Sequence, residues 1–545
     1  MGVEGAAVTS AEAAQYRAAG WWTDTTLSEC VVRNAASTPD KPAYVDFSLD
    51  SPDRMLTWSE FDRAASNLAH RLLALGVTPG GGVAVWHKDS SAIHVLLVAI
   101  ERCGAVAVGL GARAGVREVT AILRTARPTL MVSDVDRLAR AQRAAGDADP
   151  ALRVVALGDG SSELCVDTTP RPDATGGLSP VGPDDVFLIN STSGTTGLPK
   201  CVVHTQNRWH YFHQKAVANG ELKPDDVFLP VIPTPFGFGV WTSHTTPIHL
   251  GATAVRIERF TPVATCAAIA HHQATVLCCV STQLAMILAS PKSRDYDLTS
   301  LRVVFTGGEP LPYIQAARFE ELTGVTILQF YGSNETGMLS ATTVADPLHR
   351  RLRTAGRIVP EMQVRLFDGD RDVTESGHGQ PACRGPALSL GYLGGTDHDK
   401  LFTTDGWMRM GDICELDADG YLTLTGRTSD FILRGGKNIS AVQVEETVAT
   451  HPAVAVAAAV AMPDPLFGER VCVFVELKEG GVLDLAALVE HLLQLGVSKE
   501  LLPERLEVLD ELPRSSGGKI AKGLLREEIR STLEASPEIR QEQRS

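Results

Sequence analysis

Short apolar runs of strand length alternate with stretches of helical spacing through the first 330 residues. That order is best satisfied by mostly parallel sheets with helices packed on their faces. Residues 56–75 (LTWSEFDRAASNLAHRLLAL) place apolar side chains at helical spacing, and Gly76, Pro79 and Gly80 stop the helix. Residues 82–86 (GVAVW) read as a strand and 93–103 (IHVLLVAIERC) as a helix, ahead of a second apolar run at 104–109. The alternation continues through 116–127 and 129–132. A second block repeats it, with strands expected at 186–189, 252–257, 275–280, 302–306 and 326–330, and helices at 209–219, 263–271 and 313–322. Two α/β lobes are the economical reading. From 356 to 424 the helical period gives way to short runs broken by Gly, Pro and Asp, which predicts a small β-rich subdomain. Beyond Gly426 a compact α+β unit is expected, with helices at 441–449 and 483–495 and strands at 455–461 and 471–477. Residues 536–545 are polar and expected to fray.

With 545 residues, the chain is long enough for several folding units. Its formal net charge of -15 opposes binding to nucleic acid, which needs clustered Lys and Arg, but leaves a small phosphorylated ligand open. Ten cysteines show no C-x-x-C pair and no metal-ligand spacing, and are read as reduced thiols. Residues 1–16 lack a basic region followed by an apolar run, and no segment reaches about 18 unbroken apolar residues. The expectation is a cytoplasmic protein with no membrane partner, either a monomer or a homodimer.

Directly after the apolar VFLIN comes STSGTTGLPK, residues 191–200. Its glycines allow backbone N–H groups to approach phosphate oxygens, and Lys200 adds a cation at the loop's edge. It is not a Walker A loop, because Pro199 precedes the lysine and Cys201 follows it. A plain Ser/Thr/Gly surface turn has the same composition. The further segments TGGEP (306–310), YGSNETG (331–337), GD followed by DADGYLTLTGR (411–427), RGGKNIS (434–440) and LPRSSGGK (512–519) occur in this order.

Together these segments resemble the AMP-forming adenylating superfamily of acyl- and aryl-coenzyme A ligases, adenylation domains and luciferases. The resemblance spans nearly the whole chain. It implies a large N-terminal domain, 1–426, made of two α/β lobes and a β-barrel subdomain, carrying a small mobile α+β C-terminal domain, 427–545. It also implies residue roles. Thr192, Ser193, Gly194, Thr195, Thr196, Gly197 and Lys200 would surround the ATP phosphates, and Glu335 would hold Mg²⁺, a hard cation suited to carboxylate and phosphate oxygens. Gly307, Gly308, Glu309 and Pro310 would border the base and the acyl pocket, with Tyr331, Gly332 and Asn334 alongside. Asp412 would accept the ribose hydroxyls, Arg427 would approach ribose or phosphate, and Ser429 would be the hinge. Gly435, Gly436 and Lys437 would lie on the loop that enters the site for transfer to coenzyme A. Lys519 would bridge the attacking carboxylate and the α-phosphate, stabilising charge as pyrophosphate leaves.

Some positions depart from the family pattern. Cys201, Asn334 and Gln380 stand where the family commonly has Gly, Thr and Glu, and Ser429 stands in place of Asp or Lys. None removes a charge needed for adenylation, although the hinge difference makes thiol transfer less firmly implied. Asn334 is expected to retain a hydrogen bond to phosphate. Phe236 replaces a His frequent in the ligases, and no Asp near DVFLPVIPTPFGFG could pair with an α-amino group, which argues against an α-amino acid. Phe236, Gly237, Trp209 and Trp241 are candidates for the wall of a hydrophobic or cyclic acid site, though core packing suits the aromatics equally. His204, His210, His213, His271 and His272 are read as structural, because no metal spacing joins them.

The leading expectation is an acid–thiol ligase using ATP, Mg²⁺ and coenzyme A. One alternative is an adenylating enzyme that delivers its acyl-adenylate to an acyl carrier protein or a separate transferase. Another is a non-catalytic ATP or acyl-adenylate binder, against which Lys519 weighs.

Overall fold

The computed structural model describes residues 8–158, 160, 162–171, 177–192, 200–309, 311–394, 401–427, 431–434, 437–464, 468–495, 497, 501–515 and 519–535. Two α/β lobes form its larger part. In the first, seven strands run in the spatial order Leu164–Cys165, Arg153–Gly158, Leu130–Ser133, Gly82–Trp86, Val106–Gly109, Val186–Thr192 and Lys200–Thr205, all parallel but the last. The second is a nine-stranded sheet. Its six central strands, from Thr326–Ser333 through Val303–Gly307, Val276–Cys278, Val227–Pro230 and Thr253–Ile257 to Pro42–Phe47, are parallel. Antiparallel strands flank them.

The β-rich region between these lobes and the C-terminal unit is a six-stranded antiparallel sheet spanning 363–427. The C-terminal unit is a five-stranded sheet covered by the helices Ala441–Val448, Leu485–Gln494 and Lys522–Ala535. Its core, which includes Ile432, Val444, Val471, Val473 and Leu488, is separate from the lobes' cores.

Local chemistry accounts for the boundaries. The helix expected over 56–75 begins at Trp58, because Leu56 belongs to the edge strand Arg54–Thr57 and Thr57 caps the helix. The Thr57 hydroxyl accepts from the Glu60 N–H at 3.3 Å, and the Glu60 carboxylate accepts from the Thr57 N–H at 2.9 Å. Trp58, Phe61, Ala65, Leu68 and Leu72 then recur on one buried face. The helix expected near 209–219 extends back to Gln206. Nine of the ten cysteines are buried and all are free thiols. Burial pushes Cys30 up to about 11 and Cys201 and Cys383 up to about 12, so these three are poor nucleophiles at neutral pH. No helix among the described residues is long and apolar enough to cross a membrane.

Histidines from several elements pack together, His94 and His244 buried and His210, His213 and His249 partly so. His213 stacks on His249 at 4.7 Å between ring centroids, His210 meets His249 edge-on at 5.0 Å, and Cys30 Sγ lies 3.5 Å from His249 Nδ1. Deeper in, His94 Nδ1 and His244 Nδ1 are 3.2 Å apart, with Tyr44 stacked on His94 at 4.3 Å. Burial lowers all five, His210 to about 4 and His213 and His244 to about 3, so they are neutral in the folded protein at pH 7. The unfolded chain takes up these protons near the ordinary histidine value of about 6.5, so this contribution is complete above that pH and lost as pH falls towards the folded values. Thermal unfolding should therefore shift to lower temperature between pH 7 and pH 5. Replacing one such group, His213→Phe, should reduce the stability lost between pH 6.5 and 5 by about 1–2 kcal/mol, measured by denaturant unfolding at each pH.

Candidate active site

The strand Val186–Thr192 turns back on Lys200–Thr205, with Thr192 and Lys200 as register partners. Segment 390–393 adds to the outer edge of the second strand: Val203 donates to the Gly391 carbonyl at 3.0 Å, and Leu393 donates to the Cys201 carbonyl at 2.8 Å. That addition carries Tyr392 over the site. Lys200 Nζ sits 4.9 Å from the centre of the Tyr392 ring, and the Tyr392 hydroxyl donates to Glu335 Oε1 at 2.7 Å. The loop lysine and the buried carboxylate of Glu335 are thus tied through one phenol.

Glu335 is held from behind as well. Its carbonyl accepts from the Ser389 N–H at 2.7 Å, and the residue is 8% exposed. Beneath it lies Arg208, on the helix Gln206–Gly220 and 2% exposed. Arg208 Nε donates to the Ala387 carbonyl at 2.9 Å, Nη1 to the Asn334 carbonyl at 2.9 Å, and Nη2 makes a long contact with the Glu335 carbonyl at 3.5 Å. Arg208 Nη1 also meets His204 Nδ1. His204 is therefore the acceptor at Nδ1, and its Nε2 donates to Asn190 Oδ1 at 2.7 Å. Burial lowers the Arg208 guanidinium to about 9, with Glu335 opposing that shift, while His204 is driven well below its ordinary value by burial and by Arg208.

Asn334 pairs with a second amide, the buried one of Asn190. Its Nδ2 donates to Asn190 Oδ1 at 2.5 Å, and its Oδ1 accepts from Asn190 Nδ2 at 3.2 Å. Asn190 Nδ2 also reaches the Pro235 carbonyl at 2.9 Å. The amide pair fits because Gly237 lacks a side chain: a Cβ there would lie 2.7 Å from Asn334 Oδ1 and 3.4 Å from the Trp209 ring. Gly237, Asn334 and Asn190 are thus a matched set.

Glu309 is likewise committed elsewhere. Its carboxylate accepts from the Thr282 N–H at 3.2 Å, the Thr282 hydroxyl at 2.7 Å and the Ser281 hydroxyl at 3.0 Å, at the N-terminus of the helix Ser281–Ala289. Its neighbours behave as expected for a crowded strand end. A Cβ on Gly307 would lie 2.6 Å from the Phe330 carbonyl, and one on Gly332 would lie 1.6 Å from the Gly337 carbonyl. Across the site, the Tyr331 hydroxyl donates to Asp412 Oδ2 at 2.8 Å, and Asp412 faces Arg427 across the antiparallel pair.

Lys519 comes from the C-terminal unit, on a short turn closed by the Ser515 N–H donating to the Lys519 carbonyl at 2.7 Å. Its side chain passes over Gly308. A Cβ at Gly308 would lie 3.1 Å from both Cε and Nζ of Lys519. Gly308 also has φ +80°, a conformation natural to glycine.

Trp241 opens a π-helical turn, Trp241–Thr245, and is 1% exposed. Its ring lies 4.7 Å from Phe212, 5.1 Å from Phe305, 5.1 Å from Phe330 and 5.6 Å from Phe238. Trp209 packs on Arg208 at 4.8 Å. Phe236 stands at the N-cap of the helix Gly237–Val240. Although the sequence around Phe236 lacks an Asp, the fold brings Asp89 to it: Asp89 Oδ1 accepts from the Thr234 N–H at 2.9 Å. Arg256 Nη2, also at 2.9 Å, already pairs that carboxylate.

Ser193, Gly194, Thr195, Thr196, Gly197, Pro310, Ser429, Gly435 and Gly436 lie outside the described residues, as do the side chains of Thr192, Arg427 and Lys437. Sequence reasoning missed Asn190, Arg208 and Tyr392. It also read His204 as merely structural.

The sequence matches the model of the AMP-binding enzyme family over residues 31–393 and that of the AMP-binding enzyme C-terminal domain over 443–519. Among relatives, it is 31% identical to a medium-chain fatty-acid–CoA ligase of Escherichia coli, covering 95% of this chain and 93% of that one. It is also 31% identical to a salicyl-AMP ligase / salicyl-S-ArCP synthetase of Mycobacterium tuberculosis, covering 94% and 92%. Among solved structures, an anthranilate CoA ligase in complex with anthranoyl-AMP superposes with a TM-score of 0.84 at 25% identity, over 94% of this chain and 98% of that one. An amide bond synthetase from Marinactinospora thermotolerans gives 0.78 at 27% identity, over 92% and 99%. The chain belongs to the AMP-binding enzyme family of AMP-forming ligases.

Proposed function

We propose that this protein joins a carboxylic acid to AMP, releasing pyrophosphate, and then transfers the acyl group to coenzyme A. The observation that carries the first half is the approach of Lys519, from the C-terminal unit, to Gly308 at the strand end beside Tyr331 and Asp412. An ammonium there can neutralise charge building between the attacking carboxylate oxygen and the α-phosphorus as pyrophosphate departs. Lys200 and the loop 192–197 would hold the outgoing phosphates, Tyr331 would flank the adenine, and Asp412 with Arg427 would hold the ribose. In this reading residues 1–426 form the adenylating domain and 427–545 the mobile domain, with Ser429 as its hinge.

Glu335 fits a magnesium ion: a buried carboxylate, steadied at one oxygen by Tyr392 and lying close to Lys200 across that ring. When bound, the ion neutralises phosphate charge. Arg208 keeps the backbone of Asn334 and Glu335 in place, so Glu335 is presented at a set position. The aromatic group around Trp241 and the Asp89–Arg256 pairing support an acid with an apolar body and no α-amino group.

For the second half, Arg113, exposed at the surface, is within electrostatic reach of Arg259 and Arg514, with Glu511 and Asp89 as counter-charges. Positive charge at that junction suits a polyanionic acceptor such as coenzyme A. The salicyl-AMP ligase relative keeps a second reading alive, in which a carrier protein's thiol is the acceptor.

Purified protein given ATP, Mg²⁺ and aliphatic, alicyclic and aryl acids, with and without coenzyme A, should release pyrophosphate and yield an acyl-coenzyme A detectable by mass. Acyl-AMP accumulating despite coenzyme A would transfer the second half-reaction to another acceptor, and no pyrophosphate from any acid would sink the proposal. Lys519→Ala should slow acid-dependent pyrophosphate exchange by about 10²–10³-fold while leaving ATP binding measurable. Arg113→Ala should raise the KM for coenzyme A several-fold and leave the exchange rate unchanged.

A further inference from the structure

On the far side of the second lobe, three metal-ligating side chains converge from segments more than two hundred residues apart in sequence. Asp53 lies in the link just before the edge strand Arg54–Thr57, and His271 and His272 end the helix Pro262–His272. Asp53 Oδ2 is 3.1 Å from His272 Nε2 and 3.5 Å from His271 Nε2, and the three ligand atoms lie within 4.8 Å of one another. Two ligands at about 2.0–2.1 Å from one tetrahedral ion are separated by roughly 3.4 Å, so these spacings are those of neighbours on a shared ion.

His272 Nε2 is shielded from solvent, and the imidazole and the Asp53 carboxylate face one another in a partly enclosed corner. The surroundings suit a cation. The negative end of the helix backbone is at these two residues, and the helix closes in a left-handed residue, Gln273, with φ 50°. The Phe47 ring backs both imidazoles, at 5.9 Å and 5.6 Å between centroids, and walls the group on one side. His271 remains 65% exposed, which leaves a route from solvent.

We propose that Asp53, His271 and His272 bind a divalent transition-metal ion, zinc being the best match to two imidazoles and one carboxylate with a solvent-facing position left over. The ion clips the link 48–53 to the helix Pro262–His272. That link and Ala264 of the helix both line a crevice of about 650 Å³ between the two lobes, so binding stiffens one wall of it.

The test is Zn²⁺ titrated into full-length protein stripped with EDTA, followed by calorimetry and by thermal unfolding. The expected result is one Zn²⁺ per chain and a rise in Tm. Loss of an outer-shell partner alone costs about 10–100-fold in metal affinity, so Asp53→Asn and His271→Ala should each weaken binding at least that much and remove the Tm rise. Because His271 is mostly exposed, His271→Ala should unfold at the wild-type temperature without zinc, which separates loss of the site from loss of the fold. Undiminished zinc binding in both variants overturns the proposal, as does no binding to the wild type up to about 1 mM Zn²⁺.

Discussion

The rest of the site depends on one buried guanidinium. Arg208 links three carbonyls and a histidine ring that belong to three separate stretches of chain: the turn after the strand Thr326–Ser333, the segment around Ala387, and the strand Lys200–Thr205 at His204. A charge buried this deeply is costly unless its hydrogen bonds are made. The arrangement therefore leaves little freedom. Asn334 and Glu335 cannot shift along the chain without orphaning Arg208, and His204 cannot take a proton without confronting it. Rigidity at the base of the site is obtained through a guanidinium that donates to backbone carbonyls and one imidazole.

What the sequence displayed of this was uneven, and the reason is distance along the chain. Periodicity reports burial within a single element, so the strands Gly82–Trp86 and Val303–Gly307 and the helix Pro262–His272 were legible nearly to the residue. The strand Arg54–Thr57 was absorbed into the following helix because Leu56 continues its apolar spacing, and only the reciprocal bonds of Thr57 and Glu60 mark the break. Side-chain partnerships were harder. Asn190 and Asn334 are 144 positions apart, and Tyr392 and Glu335 are 57 apart. Motif order could point to Glu335 but carried no signal for the phenol that steadies it. Glu309 shows the converse: a motif residue whose carboxylate serves a neighbouring helix. His271 and His272 lacked metal spacing in sequence, because their third companion, Asp53, arrives through the pairing of the first strand with Thr253–Ile257.

The two units meet at several points, among them the Ser440 hydroxyl donating to the Thr425 carbonyl at 2.7 Å. The C-terminal sheet has its own core, yet its lysine lies over a glycine of the second lobe, where any side chain would press on Cε and Nζ. A lysine resting on a glycine in this way is compatible with the movement proposed for the C-terminal unit.

The pairing of Thr192 with Lys200 sets which way the lysine points. Alternate residues of a strand face opposite ways, so a slip of one position in the pairing would turn Lys200 from the Tyr392 ring to the other face of the sheet. A single insertion within Lys200–Thr205 would therefore leave the composition almost untouched and aim the charge at the wrong side of the protein.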